Sequence, residues 1–516
     1  MCGIVGVVGK DATSIVVAEM LSKIRTRGTK HPCIKDIGMG FFGSVLLDIT
    51  DSNNGYQPIF TSSRSHCIVF NGEIYNYKEL KEILIKKGYV FDTETDTEVL
   101  LYMYKEYGDK CVEFIRGMYA FAIYDTLNCI LMLFRDPLGI KPLYYSIDKS
   151  IIYFASECKA LVVLDVNKVD ELMPGEILKY KDKAIEKKRY YNISDIAVRD
   201  SDEKSVCENI IRKIENAVRT HVDTDLPICV FFSGGIDSTI ILYYSIKYNK
   251  NVTPIIIGHD DSEDVKYAVK YCEEFGVEYI RVDYDEKELM QSIPEVIDCI
   301  ETFEINAVRA STLSYHLSRI AHQHGFKVAL CGEGSDELFC GYGDFMMIND
   351  DIEFKDYTIL LIEDVYRTQL LRVDRTSMAY SLEVRVPFFD LDVVEYALSL
   401  PRYYKINKIE GKVFTKYILR VAFEKILPIY ITRRDKMTLM KGAGADEVDP
   451  EKGCFVKNAK EVFSGLEYIK YKNLYPTFRL ESLESAYYFS LFVKKYKKLK
   501  FVRNRTINAK KEIDRD

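Results

Sequence analysis

Several short stretches of this 516-residue chain hold residues whose types and spacing could do chemistry. The first is MCGIVG, with Cys2 beside the initiator position. If Met1 is removed, Cys2 carries both a thiol and a free α-amine. An amine of pKa about 7.7 is partly unprotonated at neutral pH and reaches its own side chain directly or through water. One residue then serves as nucleophile and base. A thiol buried in a first strand explains the same letters, and MCGIVG alone leaves both readings open.

NGEIYN and TDTEV supply what such a nucleophile needs. Asn71 can donate its side-chain amide, and Gly72 a sterically open backbone N–H, to the oxyanion formed when a thiolate attacks an amide carbonyl. Asp96 could bind a substrate ammonium. Each has a plainer explanation too, an Asn-Gly turn for the pair and a helix cap for the aspartate.

A second constellation lies further along. FFSGGIDSTI puts small residues and an aspartate where an apolar strand ends and a helix begins. Glycine lets the backbone approach an anion, and free amides at a helix start stabilise phosphate charge. Ser233, Gly234, Gly235 and Ser238 can surround a pyrophosphate, and Asp237 can reach its magnesium. The pattern is not GxxxxGK[ST], so a kinase or GTPase phosphate loop is a poor match. KVALCGEGSDELFCGY repeats the strand-into-glycine plan with Asp336 and Glu337, which suit a phosphate that arrives with Mg2+. Two such loops at the C-terminal ends of parallel strands would face one crevice. Arg434 and Lys436 of ITRRDKMTL could neutralise charge on a leaving pyrophosphate, or simply solvate the surface.

The elements that must position these residues differ between the two halves. Up to about residue 190, short apolar runs broken by glycine predict stacked sheets with a few helices. AFAIYD, a break near Asn128 and CILMLFRD read as a hairpin. A helix follows TDTEV, capped by Thr95 or Asp96, with Val99, Leu100 and Met103 on its apolar stripe. The polar stretch at residues 192 to 205 predicts a boundary. Beyond it, an amphipathic helix carries Ile210, Ile211, Ile214 and Val218, and alternating strands and helices imply a parallel sheet covered by helices. From about residue 345 the chain reads mainly as helices.

Composition narrows the setting. A net charge of -7 offers no general field for nucleic acid, although Lys494 to Lys511 is locally basic in the manner of a solvated helix. Thirteen cysteines without a CxxC pair argue for reduced thiols in a cytoplasmic protein rather than disulfides or a zinc finger. No long apolar run predicts a membrane span, so no membrane or nucleic-acid partner is expected.

The ordered motifs resemble those of the glutamine-hydrolysing asparagine synthetases. MCGIVG, RTRG, YQP, NGEIYNY, TDTEV, FRDPLGIKPLYY, FASECKAL, MPG, FFSGGIDST, IETFEINAVRAST, GEGSDELFCGY, SMAYSLEVRVPFFD and RRDKMTLMKGAG keep family order from residue 2 to about 444. The resemblance implies an α+β sandwich of the N-terminal nucleophile hydrolase kind (αββα), a class II glutamine amidotransferase domain over residues 2–190. An α/β parallel-sheet ATP-pyrophosphatase domain with a helical C-terminal part would follow over 205–516. It implies Cys2 as nucleophile, Asn71 and Gly72 at the oxyanion, and Glu73 and Asp96 on the glutamine. It also implies ATP bound by Ser233, Gly234, Gly235, Asp237, Ser238, Cys331 and Gly332, and Mg2+ on Asp237 and Asp336. Glu333 and Lys436 would act in catalysis, and Arg309 would bind aspartate. Cys2 would release ammonia from glutamine, and ammonia would travel through an internal channel to a β-aspartyl adenylate and yield asparagine. A homodimer is plausible from the family.

Departures from the family pattern fall near substrates. RGPD is replaced by RGTK at Arg27 to Lys30. GHxRLSIxD is replaced by GFFGSVLLD, which sets Phe41 at the family histidine and Gly43 where an arginine should clamp the α-carboxylate of glutamine. Arg27 or Lys30 could compensate. Two threonines of the aspartate pocket become Asn306 and Ala307, and Cys331 replaces a serine. These changes keep open a related ATP-dependent amidotransferase that amidates another carboxylate, using ammonia or a donor other than free glutamine.

Overall fold

Cys2–Val8 is a strand whose alternate residues enter different cores. Cys2, Ile4 and Val8 join Phe42, Leu133 and Phe154 in one apolar cluster, while Val5 and Val7 join Val17, Leu21 and Val45 in another. Successive side chains of a strand point to opposite faces, so this strand is covered on both sides. The structure, a computed structural model, describes residues 1–49, 55–166, 168–199, 201–437, 442 and 453–496. It divides into one unit of Met1–Asn192 with Met378–Ser381 and Tyr496, and another of Ile193–Ser377 with Leu382–Lys495.

The first unit stacks two six-stranded sheets. In one, Cys2–Val8 lies between Gly40–Leu46 and Ile151–Ala155, both antiparallel to it. In the other, His66–Ile74 lies between Ile59–Phe60 and Gly117–Asp125. Cys67 and Val69 face inward to the cluster that holds Cys2, whereas Ile68 and Phe70 face outward to Leu80, Leu84, Val99 and Met103. Those outer residues belong to the helices Tyr77–Lys86 and Asp96–Tyr107, and the helix Ser14–Lys23 covers the opposite face. The result is the expected αββα layering.

Local chemistry sets the element ends. Thr95 caps Asp96–Tyr107, its side chain accepting from Glu98 N at 3.3 Å, a contact of the kind that stabilises a helix by about 1 kcal/mol. The expected hairpin runs Gly117–Asp125 to Ile130–Arg135. Asp125 Oδ1 accepts from the backbone of Leu127 and Asn128 at 3.0 Å in its turn.

The second unit centres on a five-stranded parallel sheet in the order Ile280–Val282, Val252–Ile257, Ile228–Phe231, Val328–Leu330, Glu383–Arg385. Ile228–Phe231 runs into the helix Ile236–Tyr248, and its neighbour Val328–Leu330 runs into Ser335–Leu338. Adjacent parallel strands in register Cys229↔Ala329 open both glycine-rich loops at one edge. The amphipathic helix starts at Glu203, capped by Asp202, and buries Ile210, Ile214 and Val218.

The reading of mainly helices beyond residue 345 holds, and three short strands interrupt it. Glu383–Arg385 completes the sheet, and Ile406–Ile409 pairs with Lys412–Thr415. The fifth strand escapes a hydrophobicity reading because two of its three buried residues form an ion pair, Arg385 Nε to Glu383 Oε1 at 2.7 Å. The basic tail beyond 496, and the KGAG motif except Gly442, lie outside the described residues. Among the described residues no helix is long and apolar enough to cross a membrane.

Candidate active site

Cys2 is buried at the start of its strand, facing the interior between the sheets. Its backbone N donates to Asn71 Oδ1 at 3.1 Å. Asn71 has the same strand parity as Cys67 and Val69 and so faces the same interior. With Oδ1 engaged, Asn71 Nδ2 is left buried and without a hydrogen-bond partner. A buried amide donor without an acceptor costs free energy, and an oxyanion beside Cys2 would satisfy it. Gly72 follows with φ +157, where a Cβ would stand 2.0 Å from Met118 O, so only glycine fits. Asp96 opens its helix, and its Oδ2 accepts from Ile74 N at 3.1 Å. Glu73 is buried beside them in the strand.

Gln57 was assigned no role from sequence, although YQP was visible. Its Nε2 lies 3.7 Å from Cys2 Sγ and 3.2 Å from Thr97 Oγ1, while its Oε1 accepts from Phe70 N at 2.6 Å. Gln57 therefore fixes the rear of the thiol.

Strand geometry adds to the loss of the family arginine at Gly43. Gly43 pairs with Val5, and a Cβ there would point at Val17 Cγ1, 2.6 Å away, and Leu21 Cδ1, 2.9 Å away. That is the helix side, opposite Cys2. The residues of this strand on the Cys2 face are Phe42 and Ser44. Phe42 packs edge-on against Phe154 at 5.2 Å, and Ser44 Oγ donates to Gln57 O at 2.7 Å. The two candidate substitutes are engaged elsewhere. Arg27, fully buried, donates from Nε to Cys2 O at 3.2 Å and from a terminal nitrogen to Glu157 at 2.8 Å. Lys30 Nζ lies 3.4 Å from Asp48.

In the second unit the two loops converge. Gly234 takes φ +64, and a Cβ there would lie 2.5 Å from Ala268 N. A Cβ on Gly332 would lie 3.0 Å from that of Asp237, so both glycines keep the crevice open. Ser233 and Ser238 hydroxyls are 3.2 Å apart beneath it. Ser335 Oγ donates to Asp237 Oδ1 at 2.6 Å, tying one loop to the other. Cys331 is buried at the strand end, and its N donates to Arg385 O at 3.2 Å.

Lys416 is the residue sequence reasoning missed here. Its ammonium is 2.6 Å from Asp237 Oδ2 and 2.7 Å from Asp336 Oδ1, with the side chain almost wholly buried. Nothing in VFTKYILR distinguishes this lysine, and its backbone is left-handed at φ 54. Lys436 Nζ lies 2.6 Å from Asp336 Oδ2, and Arg434 pairs with Asp264 at 2.5 Å while donating to Ser233 O at 3.0 Å. Burial alone would raise the Asp336 carboxyl, but Lys416 and Lys436 hold it well below the usual range. Its neighbour Glu337 is pushed up to about 7 by burial and by the Asp336 and Glu333 charges. Two oxygen-donor side chains already converging on a cation fit Mg2+, with Lys416 as the stand-in.

Two other expected residues are held by partners. Glu333 pairs with Arg372 at 2.5 Å. Arg309 is clasped in bidentate fashion by Glu484, at 2.9 and 2.7 Å, and Tyr488 donates to the same carboxylate at 2.9 Å. Its donors on that edge are committed to the helix Leu483–Lys495. Asn306 is exposed at the start of the Arg309 helix, Ile305–Gln323.

An αββα sandwich carrying Cys2 and Asn71, joined in one chain to a parallel sheet with two facing phosphate loops, defines a glutamine-dependent, ATP-using amidotransferase. Comparison with known proteins gives the same two parts. Residues 1–168 match a glutamine amidotransferase domain model, and 209–350 with 346–454 match an asparagine synthase model. Asparagine synthetase B [glutamine-hydrolyzing] of Escherichia coli is 31% identical over 475 residues, 87% of this chain and 84% of that protein. Asparagine synthetase [glutamine-hydrolyzing] 3 of Arabidopsis thaliana is 30% identical over 487 residues, 89% and 82%. A rice protein, asparagine synthetase [glutamine-hydrolyzing] 2, is 29% identical over 530 residues, 96% and 86%. The chain belongs to the glutamine-hydrolysing asparagine synthetase family.

Proposed function

We propose that this chain converts aspartate to asparagine, consuming ATP to AMP and pyrophosphate and taking ammonia from glutamine. Removal of Met1 frees the Cys2 amine, now the peptide nitrogen 3.1 Å from Asn71 Oδ1. The thiolate attacks the glutamine amide, the oxyanion is held by Asn71 Nδ2 and the Gly72 N–H, and Asp96 with Glu73 holds the substrate amine. Collapse of the oxyanion breaks the C–N bond and expels ammonia, which takes its proton from the Cys2 amine, and water then hydrolyses the thioester to glutamate and the free thiol. In the second unit the aspartate side chain attacks the α-phosphorus, and the loops with Ser233, Gly234, Gly235, Ser238, Cys331 and Gly332 hold the nucleotide. Ammonia displaces AMP from the β-aspartyl adenylate, with Glu333 beside the acyl group to accept a proton. Mg2+ on Asp237 and Asp336 would offset the pyrophosphate charge when bound, and Lys416 and Lys436 contribute their own ammonium groups to the same end.

The observation that carries the reading is the meeting of Asp237 and Asp336, from different loops, at one ammonium. The Arg309–Glu484 clasp favours a second reading, in which the acceptor is another carboxylic acid, because the guanidinium meant for aspartate already has a carboxylate. ATP conversion to AMP and pyrophosphate across a panel of carboxylic acids, with glutamine and ammonia compared as donors, separates the two. Stimulation by aspartate supports the first; silence with aspartate and a response to another acid supports the second.

A further inference from the structure

A cavity of the second unit lies apart from the nucleotide crevice and shares no lining residue with it. It lies where the segment around Ile196 and the helix Asp351–Asp364 meet Leu400–Lys405, and its volume is about 120 Å3. Ile196, Phe354 and Leu400 make its walls apolar. Engineered cavities of about 150 Å3 with such walls bind benzene, so a body of about six heavy atoms fits.

The polar lining is what an apolar hole does not explain. Lys405 is only 3% exposed and has no hydrogen bond or ion pair among the described residues. Burying an unpaired ammonium costs several kcal/mol, and an aliphatic side chain would fill the space without that cost. Burial lowers the Lys405 ammonium, which the Cys340 thiol only partly opposes. Arg402 stands beside it with Nε buried and unpartnered, its guanidinium 5.5 Å from the Phe354 ring centre. The one acidic lining residue, Asp351, is exposed and forms no ion pair with either cation among the described residues. The Thr358 hydroxyl, also in the lining, donates to Phe354 O at 2.8 Å and lies 3.9 Å from Cys340 Sγ, so its proton is already committed.

We propose that this cavity binds a small organic monoanion, a carboxylate on an apolar body of about six heavy atoms, with Lys405 and Arg402 taking the carboxylate and Phe354 and Leu400 the body. The charge of the ligand completes two cations that have no counter-ion among the described residues. The site is independent of the glutaminase and nucleotide readings, since none of its residues takes part in either.

Benzoate is the probe, with benzamide as its neutral match, titrated into the full chain by calorimetry or by fluorine NMR of the 4-fluoro forms. Saturable benzoate binding, at least tenfold tighter than benzamide, is expected, with a tenfold or greater loss in Lys405→Met and a smaller loss in Arg402→Gln. Unchanged ATP–pyrophosphate exchange in both variants is also expected. Equal binding of benzoate and benzamide would reduce the site to an apolar hole, and no benzoate binding at millimolar concentration would overturn it outright. The anion-to-amide comparison needs only the wild-type chain, so it decides the matter even if a variant fails to fold.

Discussion

Lys416 Nζ lies 2.6 Å from Asp237 Oδ2 in one loop and 2.7 Å from Asp336 Oδ1 in the other. One side chain thus fixes the separation of two carboxylates that follow different strands. Lys416→Met is expected to lower ATP–pyrophosphate exchange by about 10²–10³-fold, the range for removing one preorganised charge from a reacting phosphate, while glutamine hydrolysis persists. Exchange at the wild-type rate would remove Lys416 from the nucleotide site. Asp237→Ala is expected to stop pyrophosphate release in the same assay.

Cys2→Ala should abolish glutamine-dependent amidation and leave ammonia-dependent turnover. Asn71→Ala should lower glutaminase kcat by about 10²–10³-fold with little change in KM, because Nδ2 is needed only when the oxyanion forms. A KM effect with kcat preserved would make Asn71 a ground-state binding group instead.

Restoring an arginine at position 43 is expected to fail. Gly43→Arg drives a side chain into Val17 and Leu21, on the wrong face of the strand for Cys2. Overpacking and burial of a charge together should cost about 3 kcal/mol or more. Thermal unfolding measures the loss, and a lowered KM for glutamine in this variant would contradict the face assignment.

Breaking the Arg309–Glu484 clasp should destabilise the second unit. Removing Arg309 leaves the buried Glu484 carboxylate with the Tyr488 hydroxyl but without its cation, at a cost of about 3–5 kcal/mol, whereas an Arg309→Met, Glu484→Met double variant should recover most of it. A double-mutant cycle in denaturant tests this. Additive losses would mean that the two side chains do not depend on each other.

His316 sets an acid limb on stability. Burial and the Arg319 charge lower its pKa to about 4. Arg319 points a donor at Nδ1, 3.1 Å away, and Nε2 lies 3.1 Å from Ser292 Oγ, so the neutral ring fits. The unfolded chain, with a His pKa of about 6.5, binds the proton first. The contribution of this residue is therefore complete above about pH 6.5 and falls as pH drops toward 4, by at most about 3 kcal/mol. His316→Gln should flatten that limb of the melting temperature against pH; an identical limb would exclude His316.

What was legible in the sequence follows the physics of each signal. The loops were legible because glycine and aspartate at a strand end have few other uses, and the αββα order because its motifs recur in family order. The fifth strand was hidden by an internal ion pair that cancels its polarity. Lys416 and Glu484 were hidden because contacts across about a hundred or more positions leave no local pattern, as Lys416 reaching Asp237 at a separation of 179 illustrates. The side of the strand that Gly43 faces was not legible, because a motif alignment fixes spacing along a strand but not its face.

The crevice has an electrical consequence. Asp237, Asp264 and Asp336 are matched one for one by Lys416, Arg434 and Lys436; of the other charged lining residues, Arg420 donates to the carbonyls of Thr415, Thr432 and Arg434, and Asp435 pairs with Lys412. Paired in this way, the ligand-free pocket is close to self-neutralised. A nucleotide alone would bring in several uncompensated negative charges, and a metal ion alone an uncompensated positive one. A nucleotide that carries its metal ion brings less net charge than a nucleotide alone, so the same pairing would oppose the bare nucleotide more than the metal complex.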